Sequence, residues 1–134
     1  MSTVSTIVTF NHEFNGALQS PNGSIIAISE NQIRPYDMVL GGLVACFHHT
    51  FLEVLQKKRQ QVERVEYQVE GRKREEVPAT LELIQMQIMV YGVSDKEQAA
   101  KCFELAKKYC SVYQTLSHVA QIEVTVTYQN EACR

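Results

Sequence analysis

No uninterrupted apolar run in this chain approaches the ~18 residues of a membrane-spanning helix, and residues 1–10 lack the charged-then-apolar order of a secretory signal. A cytoplasmic protein with no membrane partner is expected. Cations are few as well: 13 Lys and Arg against 15 Asp and Glu leave a net charge of −2, and the basic residues cluster only at 57–59 and 72–74. Phosphate backbones call for a concentrated basic face, so nucleic acid is not expected as a partner. The four cysteines, at 46, 102, 110 and 133, contain no CxxC pair, and the histidines (His12, His48, His49, His118) add no zinc-finger spacing. Neither a metal nor a bound cofactor is expected. A cytosolic chain of 134 residues also does not suit the disulfide framework of small secreted domains, which leaves redox chemistry open to some of the thiols. Asp37, Glu53 and Glu97 offer no paired-carboxylate site.

What the chain does have is one long helical pattern, residues 35–59, with Cys46 in its middle. Val39, Leu40, Leu43, Val44, Phe47, Phe51, Val54 and Leu55 repeat at the spacing of a buried helix face. Pro35 suits the first helical position, Asp37 suits the positive end of the helix dipole, and Lys57, Lys58 and Arg59 suit the other end. Gly41-Gly42 costs roughly 1 kcal/mol per residue relative to alanine, so a close helix crossing is expected there.

Alternation and turn residues supply the remaining elements. Residues 4–10, 14–18 and 25–28 read as an antiparallel meander with Pro21-Asn22-Gly23 as a turn. Residues 62–74 and 81–91 read as two further strands. In the second of these the apolar parity flips once, from Leu81 and Leu83 to Ile84, Met86, Ile88 and Val90, which predicts a bulge. Ser94 and Glu97 form a capping-box pattern ahead of a second helix buried through Ala99, Ala100, Cys102, Phe103 and Ala106. Cys110 then falls at a junction, and residues 121–128 alternate as the last strand. The order βββ-α-ββ-α-β, in one domain spanning residues 1–134, is α+β with a largely antiparallel sheet and a long central helix. That helix needs more cover than one sheet provides, and a symmetric partner is the simplest source.

The segments PYDMVLGGLVACF and KYCSVYQTL, with the terminal strand VTVTY, resemble the OsmC/Ohr family of osmotically inducible and organic-hydroperoxide-resistance proteins, and the match covers nearly the whole chain. The resemblance implies an intertwined homodimer in which paired long helices sit between two sheets. It also implies thiol-dependent reduction of a small hydroperoxide, with Cys46 as the peroxidatic cysteine and Cys110 as the resolving one. Departures from the family pattern are specific. Tyr36, with Asp37 beside it, stands where family peroxidases carry glutamate; no arginine precedes Arg34; and the family's Cys-Pro-Val reads Cys110-Ser111-Val112.

A peroxidatic cysteine must be a thiolate, and an unperturbed thiol with a pKa of about 8.5 is mostly protonated at neutral pH. Attack on the O–O bond gives a sulfenic acid, which a second thiol converts to a disulfide and an external dithiol reduces. Cys46 lies about three turns into its helix, beyond the reach of that helix's dipole. Arg34, reaching in from a partner subunit, and His49, at i+3 from Cys46, are therefore the candidate cations. The plainer readings are a solvated Arg34 and a structural His49. Phe47, Phe51, Tyr113 and Leu116 could line an apolar pocket or simply be core. Cys102 belongs to a buried stripe, and Cys133 to a tail. The alternative function is a non-catalytic dimer that binds a small molecule or senses oxidation.

Overall fold

The computed structural model describes residues 2–129, so Cys133 lies outside the described residues. The chain divides into two compact units, Met1–Gly41 and Gly42–Arg134, with the division inside the long helix.

The first unit is an antiparallel meander of β1 (Ile7–Phe10), β2 (Asn15–Gln19) and β3 (Ile25–Ser29). Adjacent residues of a strand face opposite ways, yet Ile7 and Val8, and likewise Ile25 and Ile26, are all exposed. This sheet therefore leaves apolar side chains uncovered on both faces. Helix α1 (Pro35–Lys57) starts here. The Asp37 carboxylate accepts the Arg34 N–H at 2.9 Å, which is one half of a capping box.

The second unit holds the rest of α1, then β4 (Arg64–Lys73), β5 (Leu81–Tyr91), α2 (Lys96–Tyr109), α3 (Ser111–Ser117) and β6 (Gln121–Gln129). Helix α1 stops two residues earlier than its pattern suggests. Arg59 adopts a left-handed φ of 58°, and Gln60 N–H and Arg59 N–H return to the carbonyls of Leu55 and Gln56, closing the last turn in a Schellman motif. The parity flip appears where it was predicted: Arg72 and Lys73 pair with Leu83 and Leu81, so Glu82 is the extra, exposed residue of a bulge.

Several expectations need correction. There are two three-stranded sheets rather than one, and β6 runs parallel to β5 because two helices carry the chain back across the sheet. The cap of α2 is Asp95, whose carboxylate accepts from Gln98 N–H; Ser94 donates to Gln60 instead. Ala100 is exposed rather than part of the buried stripe. A Cβ added at Gly41 or Gly42 would meet nothing within 4 Å among the described residues of this chain.

The core of the second unit joins one stripe of α1 (Leu43, Phe47, Phe51, Leu55), the inward face of β5 (Leu81, Ile84, Met86, Ile88, Val90) and Ala99, Cys102, Phe103 and Ala106 of α2. By length and mean hydropathy alone α1 could cross a membrane, and four of its side chains, Leu43, Phe47, Phe51 and Leu55, are buried in this core. The rings of Phe51 and Phe103 stack with centroids 3.9 Å apart and planes within 6°. Phe103→Ala should cost about 3–5 kcal/mol of stability, read from the midpoint of urea unfolding, because this site cannot collapse around the lost ring.

Candidate functional site

Cys46 and Cys110 are remote in sequence, and the second unit brings them together. Phe47, next to Cys46, is wholly buried, and its ring contacts Tyr67 of β4, Phe103 of α2 and Tyr113 of α3 at centroid distances of 6.2, 6.2 and 5.8 Å. This packing fixes α1 against the start of α3. The half-buried sulfur of Cys46 consequently lies 3.9 Å from Ser111 Oγ, and the Cys110 thiol donates a hydrogen bond to it.

Cys110 ends α2 and begins α3 at once. Its extended backbone (φ −73°, ψ 118°) stops the first helix, and its sulfur accepts the Tyr113 N–H at 3.4 Å as the cap of the second. The first N–H groups of a helix have no intrahelical acceptor. At α3 they are divided between two sulfurs: Tyr113 N–H goes to Cys110, while Val112 and Ser111 N–H go to Cys46. Both thiols are free, as is Cys102.

The two environments push the thiols apart. Burial works against a Cys46 thiolate, but donation from Val112 N–H, the Cys110 thiol, and Ser111 through its hydroxyl and N–H outweighs it and holds the pKa below the ordinary thiol range. Cys110 is fully buried, which raises its pKa; the Tyr113 N–H opposes this only in part, and the neighbouring Cys46 raises it further. Cys46 is therefore the sulfur that ionises, and Cys110 the one that keeps its proton. The polar neighbours of Cys110 in the sequence gave no hint of its burial.

The remaining predicted residues sit elsewhere. Arg34 and Asp37 belong to the first unit, where the Arg34 guanidinium lies 3.9 Å from the Asp37 carboxylate. Tyr36 is partly exposed at the same helix start. His49 is 3.7 Å from Glu53 on the exposed side of α1. Its neighbour His48 turns the other way, with Nδ1 3.0 Å from the Tyr67 hydroxyl, and burial followed by the proximity of His49 lowers its pKa. Phe47 and Phe51 are wholly buried core rings rather than pocket walls. Cys102 is buried on its stripe, and burial raises its pKa against a smaller opposing effect of Lys58. Among the described residues no cluster of His, Cys, Asp and Glu could hold a metal. What the sequence reading missed is the set of donors at α3. Its one visible signal was Ser111, because serine offers an N–H and a hydroxyl where a proline offers neither.

A family model described as OsmC-like protein matches residues 29–125. Among solved structures, a hypothetical protein from Aquifex aeolicus is 21% identical with a TM-score of 0.87, over 96% of this chain and 98% of that one. An OsmC-like protein from Mycoplasma pneumoniae is 16% identical with a TM-score of 0.83, over 95% and 97%. An organic hydroperoxide resistance protein of Bacillus subtilis is 18% identical with a TM-score of 0.66, over 92% and 98%. At these identities the likeness concerns the fold. No curated protein matches the chain.

The pH dependence of Cys46 alkylation tests the donors directly. The rate should rise and level off through a pKa below the usual thiol value. Ser111→Ala should move that pKa up by a fraction of a unit, and Ser111→Pro, which removes the N–H as well and suits a first helical position, by about one unit.

Proposed function

The chain belongs to the family of OsmC-like proteins, and on that premise we propose that it is a thiol-dependent redox protein that reduces organic hydroperoxides, Cys46 attacking and Cys110 resolving. One observation carries this reading: two thiols far apart in sequence are hydrogen-bonded to each other, with the pKa of one lowered and that of the other raised. Structural neighbours named organic hydroperoxide resistance proteins support the substrate class.

In the first step the Cys46 thiolate attacks the terminal oxygen of ROOH. The O–O bond breaks, an S–O bond forms, and the departing alkoxide takes up a proton to leave as ROH. Cys46 becomes a sulfenic acid. The Cys110 sulfur then attacks Cys46 Sγ, forming the S–S bond as hydroxide leaves and combines with the Cys110 proton as water. An external dithiol restores both thiols by exchange and is itself oxidised to a disulfide. Of these two thiols Cys46 is the one open to solvent, and Cys110 is completely buried, which suits an attacker and an internal resolver.

The working form in this reading is a cytoplasmic homodimer. The uncovered residues of the first sheet and a mainly apolar groove of about 420 Å³ on the second unit, where Val44, Ala45 and Leu52 of α1 meet Val65 and Tyr67 of β4, both favour a second copy. A rival reading, a dimer that senses oxidation or binds a small molecule, draws on the solvent-facing Arg34–Asp37 pair at the helix start.

Stopped-flow mixing of the reduced protein with cumene hydroperoxide decides between them. Rapid loss of both thiols with a Cys46–Cys110 disulfide by mass spectrometry, and multiple turnovers with a dithiol, is the expected outcome. Cys46→Ser should abolish it, while Cys110→Ser should retain the first oxidation and accumulate a trappable sulfenic acid. Fast oxidation without turnover would instead mark a sensor, and slow, unselective oxidation a binding protein.

A further inference from the structure

Four N–H groups at the start of α3 have no acceptor within that helix. Cys110 N–H is taken by the Ala106 carbonyl of α2 at 2.9 Å, and the other three end on sulfur: Tyr113 N–H on Cys110 Sγ at 3.4 Å, and Ser111 and Val112 N–H on Cys46 Sγ. The Ser111 hydroxyl lies 3.9 Å from the same Cys46 sulfur. A neutral cysteine sulfur is a weak acceptor, whereas an ionised acceptor makes the stronger kind of hydrogen bond. The cap of α3 therefore draws its strength from the charge on Cys46.

Little else holds this helix. Its seven residues fall short of the ~12–15 at which an isolated helix becomes even marginal in water, and Ser111, Val112, Tyr113, Thr115 and Ser117 are indifferent helix formers. The Thr115 and Ser117 hydroxyls donate to the carbonyls of Ser111 and Gln114, bonds that compete with the helix ladder. Among the described residues α3 contributes no buried side chain; Val112, Tyr113 and Leu116 are half-buried, and the Gln114 amide donates to the Lys107 carbonyl of α2 at 2.8 Å. Yet the first turn of this weakly held helix lies against a fully buried sulfur, that of Cys110.

Joining the two sulfurs removes the charge that the cap depends on. The three N–H groups then face only weak acceptors, and water reaches them once the first turn opens. We propose that a Cys46–Cys110 disulfide uncaps α3, so that its first turn unwinds in the oxidised protein and lets an external dithiol reach a bond whose Cys110 half is buried in the reduced protein. This rests on the reading of Cys46 and Cys110 as a pair that becomes joined, whereas the dependence of α3 on the Cys46 sulfur does not. Reduction closes the turn again, because the restored thiolate takes back its donors.

Amide hydrogen exchange of the full chain, followed residue by residue by NMR at one pH, reads the cap directly. Cys46→Ala in the reduced protein involves no redox step. Ser111 and Val112 N–H should exchange about tenfold faster than in the unsubstituted chain, the effect of losing one hydrogen bond to a charged acceptor, while residues 99–106 of α2 are unchanged. Diamide then makes the disulfide without any peroxide, accepting two electrons and the two thiol protons as the S–S bond forms. In that form, checked by mass spectrometry, the Ser111, Val112 and Tyr113 amides should all exchange about tenfold faster or more, again with α2 protected. Equal protection in the two redox states, or loosening that spreads through α2, overturns the proposal, as does failure of diamide to join the thiols. Gln114→Gly, which removes the tie to Lys107 at an exposed position, should speed reduction of the disulfide by dithiothreitol severalfold; an unchanged rate overturns the opening as the reductant's route. An open α3 in the diamide-made disulfide of a protein that no hydroperoxide oxidises would sink the peroxidase reading and leave the uncapping standing.

Discussion

The second unit depends on the burial of one ring. Phe47 meets Tyr67 edge-on, stacks on Phe103 and leans on Tyr113, so one side chain of α1 fixes a strand and both following helices. Each such pair contributes about 0.5–1.5 kcal/mol beyond simple burial, and their geometry is specific. With Phe47 pointing into the core, the adjacent Cys46 is rotated by the helix toward its rim, where α3 begins. The position of the thiol is a consequence of the packing, and a core at crystal-like density can hold it there.

At that rim the unmet hydrogen-bonding needs of a helix start are satisfied by sulfur. An oxygen at the cap would accept one or two of these N–H groups. Here Cys110 takes the cap position and Cys46 approaches from another element, so a single short helix gives donors to both. The arrangement is asymmetric because the sulfurs differ in exposure: a charge on the half-buried one is tolerable, and a charge on the fully buried one is not. Once Cys46 is ionised, its charge further discourages ionisation of Cys110. The difference in acidity between the two thiols thus follows from burial and hydrogen bonding, without a change of residue type.

The parts of this architecture that depend on local pattern were readable in the sequence. The Leu43, Phe47, Phe51 and Leu55 part of the α1 stripe, from which Val39 departs as an exposed residue, the bulge in β5 and the burial of Cys102 each rest on periodicity, which residues express by themselves. Features that depend on distant partners were not. The parallel pairing of β6 follows from which way the chain returns after α2 and α3, and α3 itself is only seven residues long, too short to show a period. Cys110 is flanked by Tyr109 and Ser111, whose polarity hides its complete burial. The cap of α2 moved from Ser94 to Asp95 because both residues have a capping side chain, and the Gln60 amide engages Ser94. The expected support for Cys46 was a charged side chain, while the donors are neutral: two backbone N–H groups, the Cys110 thiol and the Ser111 hydroxyl, of which Ser111 alone was visible in the sequence.

Activation by backbone donors has a different character from activation by a guanidinium. An amide N–H carries no net charge, so its support of the thiolate acts only at contact and is little affected by salt, whereas a charge acting through solvent is screened over about 10 Å at 0.1 M. The pKa falls only after the Ser111 and Val112 groups have offset the burial of Cys46. A very low pKa is not in itself an advantage in a nucleophile. Intrinsic nucleophilicity falls as thiol pKa falls, and the best attacking thiol has a pKa near the ambient pH. Lowering the pKa of a thiol enlarges its ionised fraction at a given pH at some cost in the reactivity of each thiolate. Under the proposed redox reading, serine in place of proline at position 111 would support the thiolate from the start of a helix, where the family resemblance implies a distant arginine.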